Sequence, residues 1–144
     1  MEREGMERIL LPYGKGQVSL EIEAEHLAGV LRSGIHGYRP PKSAEELVRD
    51  AFAAPVGSPR LRELAAGKRK VTVIASDHTR PVPSHVIMPQ LLAEIRAGNP
   101  DAEITILVAT GLHRSTTPQE LEAKFGAEIA GRERIVVHSQ IVLF

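Results

Sequence analysis

The sequence contains no cysteine and no tryptophan, and aromatic residues make up only 3% of its 144 residues. Without cysteine it has no disulfide framework and no thiolate metal site, and no pair of histidines has clear metal-ligand spacing. Lys and Arg number 18, as do Asp and Glu, so the formal net charge is zero. Nucleic-acid binding needs clustered positive charge or stacking rings, so we expect no nucleic-acid partner.

Long apolar runs are missing as well. No run approaches the ~18 residues of a membrane span, and the first eight residues are charged, unlike those of a signal peptide. We therefore expect no membrane association and a cytoplasmic location. A length of 144 residues, 42% of them hydrophobic, suits a single domain with an ordinary core.

The first forty residues predict a β-hairpin and a linker. Two short runs at residues 9–13 and 18–22 flank a Gly-Lys-Gly turn, and the second run alternates apolar and polar side chains. Residues 24–37 contain three glycines, which argue against a long helix. Residues 38–42 have the composition of a linker.

Two helices are predicted next. Ser43 and Glu46 form a capping-box pattern that opens a helix over residues 44–53. A second, short helix is predicted with Ser58 as its N-cap and Pro59 in its first turn.

The remaining chain alternates strands and helices. We predict strands at residues 71–75, 103–109 and 135–137 and helices at residues 83–96 and 117–130, with Gly126 as a weak point in the last helix. This order implies a parallel sheet with right-handed crossovers. The prediction is therefore an α/β fold: a Rossmann-like three-layer domain with a mostly parallel sheet and an N-terminal hairpin. Its α/β core spans residues 43–138 of a single domain, 1–144.

Two polar clusters follow the first two strands of this core. Residues 76–83 read Ser-Asp-His-Thr-Arg-Pro-Val-Pro, and residues 110–114 read Thr-Gly-Leu-His-Arg. Open α/β sheets bind ligands at the carboxyl ends of their strands. If the two strands are neighbours, both clusters open on one edge, and the pattern favours an active site.

Asp77, Thr79 and Arg80 are the candidate residues of the first cluster. The Arg80 guanidinium suits bidentate binding of a carboxylate or phosphate, and its alternative role is a loop clamp paired with Asp77. Asp77 would orient a histidine or accept from a ligand hydroxyl, or would form an Asx turn on Thr79. Thr79 would contact a phosphate or serve as a turn hydroxyl.

His113 and Gly111 are the candidates of the second cluster. A histidine titrates near neutrality and is the usual general acid/base, although a loop histidine is often merely solvated. Gly111 allows the backbone to approach a ligand closely. We interpret His78 as non-functional and Thr117 as a helix N-cap.

These segments carry a resemblance to a known family. Residues 77–83 resemble the D-x-T-R-P segment of the nickel-dependent lactate racemases, and residues 109–114 with 117–129 resemble that family's next segment. Residues 55–61 resemble its upstream pattern. The resemblance is collinear over nearly the whole chain.

The resemblance implies a racemase or epimerase of small 2-hydroxy acids that uses a nickel pincer nucleotide held between two domains. His113 matches one of two acid/base histidines, and Arg80 matches the arginine that binds the substrate carboxylate. Asp77 and Thr79 match residues around the cofactor and the catalytic groups, and we assign Gly111 to the cofactor-binding set.

The family's proteins are much longer than this chain. The second histidine, the cofactor-tethering lysine and the nickel-ligating histidine would all lie beyond Phe144. We therefore expect an N-terminal domain or fragment that lacks its C-terminal domain, has no metal site, binds no cofactor alone and is inactive alone. Its uncovered interface would favour homo-oligomers, and residues 141–144 would be an apolar end or a further strand. The alternative is a truncated, non-enzymatic module that binds an anion or nucleotide, or that assembles.

Overall fold

The computed structural model describes residues 5–138. The chain falls into two compact units, residues 1–40 and residues 41–144, which we describe separately. The predicted alternatives for residues 141–144 lie outside the described residues.

The first unit is the predicted β-hairpin. Strand β1 (Met6–Tyr13) pairs antiparallel with strand β2 (Gly16–Glu23), and Tyr13 lies opposite Gly16. The two-residue loop between them begins at Gly14, whose φ of 57° is a conformation that favours glycine. Only two 3₁₀ turns follow among residues 24–37, so the predicted absence of a long helix there is confirmed.

The second unit is built on a three-stranded sheet. Its strands are β3 (Lys70–Ser76), β4 (Glu103–Ala109) and β5 (Arg134–Val137), in the order β3-β4-β5. Both pairings are parallel, as the alternation of strands and helices predicted. The register places Ser76 opposite Ala109, so β3 and β4 end side by side.

The helices that accompany this sheet in residues 41–138 are α1 (Ala44–Ala53), α2 (Leu61–Ala65), α3 (Ser84–Gly98), α4 (Pro118–Phe125) and α5 (Ala127–Arg132). The capping box of α1 is present, because Ser43 and Glu46 each accept a hydrogen bond from the other's backbone N–H. None of the helices within residues 5–138 is long and apolar enough to cross a bilayer.

The start of α2 differs from the prediction. Ser58 is not the N-cap, because its hydroxyl donates to the Pro59 carbonyl and the helix begins only at Leu61. Arg60 occupies the N-cap position, and the Glu63 carboxylate accepts from the Arg60 N–H at 3.1 Å. An acidic side chain at the third helical position therefore decided where α2 begins.

The prediction of one continuous helix over residues 117–130 is wrong. Gly126 has φ 88° and ψ 149°, far from helical values, and separates α4 from α5. The sequence marked Gly126 as a weak point, and the structure makes it a break because glycine adopts this conformation at little cost.

The core lies between the sheet and its helices. Ile104, Ile106 and Val108 are buried on one face of β4, where they pack with Met88, Leu92 and Ile95 of α3, Phe125 of α4 and Ala65 of α2. The opposite face is open, since Ile74 of β3 is 72% exposed. The predicted α/β fold, with its parallel sheet and N-terminal hairpin, is confirmed.

Candidate functional site

The two polar clusters meet at one edge of the sheet. Because β3 and β4 are parallel neighbours that end level with each other, the loops after Ser76 and Ala109 leave the same edge. His113 and Asp77 are in direct contact there. The neighbouring strands and shared edge on which the site prediction depended are therefore present.

Asp77 is the centre of this cluster. It is only 2% exposed, and its carboxylate accepts from the Thr79 N–H at 3.0 Å, the Thr79 hydroxyl at 2.7 Å and His113 Nδ1 at 2.6 Å. Hydrogen bonds from Thr79, and then from His113, hold the Asp77 pKa well below its usual range. Asp77 therefore forms the Asx turn and orients the histidine at once, since its two oxygens serve different partners.

His113 is held at Nδ1 and leaves Nε2 for other partners. An ionised carboxylate only accepts hydrogen bonds, so the Asp77 contact places the His113 proton on Nδ1. The neutral imidazole then has an Nε2 lone pair that can accept a proton. The His113 side chain is 43% exposed, so solvent or a ligand can reach it.

Gly111 shapes the turn that carries His113. The His113 N–H donates to the Thr110 carbonyl at 3.0 Å, and Gly111 has φ 56° within this turn. Apart from Gly111 and its chain neighbours, no atom of residues 5–138 lies within 4 Å of where a Gly111 side chain would start, so its surface is open to a ligand.

Arg80 lies on the same loop with its guanidinium exposed. Within residues 5–138 that guanidinium makes no hydrogen bond or ion pair, so the predicted alternative of a clamp onto Asp77 is not found there. Its backbone is constrained, since the Val82 N–H donates to the Arg80 carbonyl at 2.8 Å. An uncommitted guanidinium on a constrained loop is suited to an anionic ligand.

The His78 side chain connects the loop after β3 to the loop after β4. Its Nδ1 lies 3.1 Å from the hydroxyl of Thr116, which is buried, and 3.8 Å from the Glu120 carboxylate. The interpretation of His78 as non-functional stays a prediction, and its contacts are structural.

Glu120 anchors the second loop to α4. It accepts from Arg114 through both carboxylate oxygens and from the Thr117 N–H at 2.8 Å, in a capping box that confirms Thr117 as the N-cap. Hydrogen bonds from Arg114 and from the Thr117 backbone lower the Glu120 pKa to about 2. The His113 loop is thus fixed at both of its ends.

Three features of this region were missed in the sequence. Lys124 of α4 is buried and donates to the Arg80 carbonyl at 3.4 Å. The Thr110 hydroxyl donates to the His138 carbonyl at 2.6 Å, and the Ser76 hydroxyl is buried without a hydrogen-bond partner among residues 5–138. The spacing of Lys124 three residues after Leu121, next to Phe125, was the available signal that it lies on the buried stripe.

Potential metal ligands cluster elsewhere. Among residues 5–138, Glu23, Glu25 and His26 lie close enough together to share an ion, and all three are exposed on the first unit. Exposed acidic groups of this kind are common without a metal.

Comparison with known proteins shows the family. A family model described as the lactate racemase N-terminal domain matches residues 13–141. The chain belongs to this family. It is 46% identical over 133 residues to a lactate racemase from Thermoanaerobacterium thermosaccharolyticum and 47% identical over 133 residues to one from Lactiplantibacillus plantarum. In both cases the match covers 92% of this chain and 31% of the relative, so this lactate racemase N-terminal domain spans about a third of their length.

Solved structures agree with the assignment. The lactate racemase apoprotein from T. thermosaccharolyticum matches 92% of this chain and 30% of its own, with a TM-score of 0.81 and 44% identity. A Thermotoga maritima protein matches 68% of this chain and 22% of its own, with a TM-score of 0.52 and 24% identity, which supports the fold alone.

Proposed function

We propose that residues 1–144 are the N-terminal catalytic-type domain of a racemase or epimerase of small 2-hydroxy acids. In this proposal residues 1–40 are a hairpin and linker, and residues 43–138 are the α/β core. The observation that carries it is the Asp77–His113 contact of 2.6 Å beside the uncommitted Arg80, in a chain of the lactate racemase N-terminal domain family.

Each side chain has a distinct task. Arg80 binds the substrate carboxylate bidentately, which fixes the carbon that bears the hydroxyl. His113 accepts the hydroxyl proton at Nε2, because Asp77 already holds Nδ1. The ionised Asp77 stabilises the imidazolium that forms, and Thr79 fixes that carboxylate with two hydrogen bonds. Gly111 leaves open space beside the histidine for the bound group.

The resemblance to nickel-dependent racemases implies a nickel pincer nucleotide, which would supply the hydride acceptor. The strand-end residues do not fit the metal, because His113 and Asp77 are committed to each other and no third ligand group joins them within residues 5–138. We therefore derive no step through the metal. In this proposal the nickel ligands, a second acid/base group and the C-terminal domain that carries them lie in the part of the relatives' length that this chain does not span.

Ligand binding tests whether Arg80 binds the substrate carboxylate. The chain is titrated with D- and L-lactate while the His113 ring and Arg80 guanidinium resonances are followed by NMR. Arg80→Lys loses the planar fork and is expected to weaken binding by about tenfold or more. The matched control is Arg132→Lys on α5, where Arg132 pairs with Glu128 on the surface. Lactate that leaves both resonances unchanged, or an equal loss in both variants, contradicts the assignment.

Racemisation tests the proton transfer. In a protein of the relatives' full length that carries this domain, His113→Ala is expected to abolish lactate racemisation, followed by chiral chromatography, while circular dichroism stays unchanged. His36→Ala, an exposed histidine in the first unit, is the control. A folded and fully active His113→Ala protein would refute the acid/base role. A wild-type protein that binds lactate without racemising it would favour the alternative, a non-enzymatic anion-binding module.

A further inference from the structure

Lys124 is a buried cation whose positive charge has almost no compensating partner among the described residues. The residue is 9% exposed, and among residues 5–138 its only hydrogen bond is the 3.4 Å contact with the Arg80 carbonyl. No described carboxylate lies within ion-pair distance of its ammonium. A buried charge is costly unless it is paired, and an ammonium has three donors to satisfy. Lys124 therefore has donor capacity that the protein itself leaves unused.

A hollow of about 280 Å³ is bordered by Lys124. Its lining consists of His78, Arg80, Val82, His85, Glu120, Ala123 and Lys124. The one acidic residue of this lining, Glu120, is already engaged by Arg114 and by the N-cap of α4. Two cations, Lys124 and Arg80, thus border one hollow without a free counter-charge among its lining residues.

We propose that this hollow binds a small oxyanion, a phosphate or carboxylate group, between the Lys124 ammonium and the Arg80 guanidinium. A lysine is a compact point charge and an arginine a planar fork, a pair suited to a polyvalent oxyanion. Asp77 and His113 do not line the hollow, but Arg80 does, so an oxyanion bound here shares the Arg80 guanidinium with the substrate carboxylate of the proposed function. The proposal goes beyond the proposed function because it adds Lys124 as a binding group, and it requires no hydroxy acid.

The electrostatics support this assignment. Burial lowers the Lys124 pKa, and only the attraction of the Asp77 charge opposes that effect. The other ionisable groups that face the hollow are His78, His85, Arg80 and Glu120. An anion in the hollow stabilises the ammonium and raises the Lys124 pKa again.

The test is an NMR titration of the lysine side-chain Cε and Nζ resonances of the chain, with inorganic phosphate and malonate added separately. We expect a saturable shift of the Lys124 resonances and a rise of its pKa with at least one of the two anions. Phosphate alone identifies a phosphate-group site, malonate alone a carboxylate site, and each outcome supports the proposal. Lys124→Met is expected to weaken that binding by about tenfold or more, whereas Lys68→Met, which removes an exposed lysine, leaves it unchanged.

Two results would overturn the proposal: no saturable shift at Lys124 with either anion, or unchanged affinity in Lys124→Met. If Lys124→Met does not fold, the wild-type titration and Lys124→Arg, which keeps the charge and is expected to keep binding, still decide the question. Lactate is followed in the same samples at His113. If lactate shifts the His113 resonances but neither anion shifts those of Lys124, the oxyanion site is refuted and the proposed function stands. If an anion shifts the Lys124 resonances but lactate does not shift those of His113, the oxyanion site stands and the proposed function is refuted.

Discussion

Gly98 offers a sharp test of how α2 and α3 pack together. It is the last residue of α3, and a Cβ built on it would lie 1.9 Å from the Arg62 carbonyl oxygen of α2. Ordinary contact begins near 3.4 Å, so Gly98→Ala requires the two backbones to separate by about 1.5 Å. That separation would pull Ala65 from the core and strain the Arg62–Glu94 ion pair.

The magnitude follows from two opposing effects. Alanine is favoured over glycine in a helix by about 1 kcal/mol, whereas overpacking costs about 1–3 kcal/mol and more where a backbone must move. The upper end applies because the clash is with a carbonyl in a packed helix, which leaves a net loss of about 2 kcal/mol in the free energy of unfolding. Thermal unfolding followed by circular dichroism should show a Tm lower by roughly 7 °C.

Gly131 is the matched control. It lies in α5, and in the described part of the chain no atom outside its own stretch of helix is within 4 Å of where its Cβ would stand. Gly131→Ala makes the same chemical change and is expected to stabilise the protein by up to about 1 kcal/mol. If Gly98→Ala unfolds at or above the wild-type temperature while Gly131→Ala behaves as expected, the close approach of α2 to α3 is refuted.

Two further predictions concern the loops. Because the folded state lowers the Glu120 pKa from 4.5 to about 2, its stabilising contribution is complete above pH 4.5 and is lost as the pH falls towards 2. Urea unfolding of wild type and Glu120→Gln should therefore differ at pH 6 and converge near pH 2; a constant difference would contradict this. Thr110→Val leaves the His138 carbonyl without its donor and is expected to cost about 1–3 kcal/mol in urea unfolding, whereas Thr72→Val on the exposed strand face should cost much less.

The sequence predicted the parallel sheet and the shared edge of the site because those features follow from local patterns. Short apolar runs fix the strands, and a polar cluster directly after a strand must lie at its carboxyl end. The contact between His113 and Asp77 needed one further fact, the adjacency of β3 and β4, which only the packed structure supplies.

The remaining differences arise from interactions beyond the local pattern. At α2, the hydrogen bond that the Glu63 carboxylate accepts, and not the Ser58 hydroxyl, stabilises the start of the helix. At residue 126 the glycine, which lowers helix propensity, adopts φ 88° and ψ 149° and separates α4 from α5. The spacing within α4 indicates that Lys124 lies on the buried stripe, but its contact with the Arg80 carbonyl joins two segments that are distant in sequence, which neither segment reveals by itself.

The order of the strands, which follows the chain across the sheet, determines how the edge that carries the site residues could be extended. Strands β3, β4 and β5 follow one another across the sheet in chain order and run parallel, so their carboxyl ends lie along one edge in the same order. A further helix-and-strand unit beside β5 would add its own loop at the end of this row. Asp77, Arg80 and His113 would keep their positions, and the functional groups of the added loop would lie beside them.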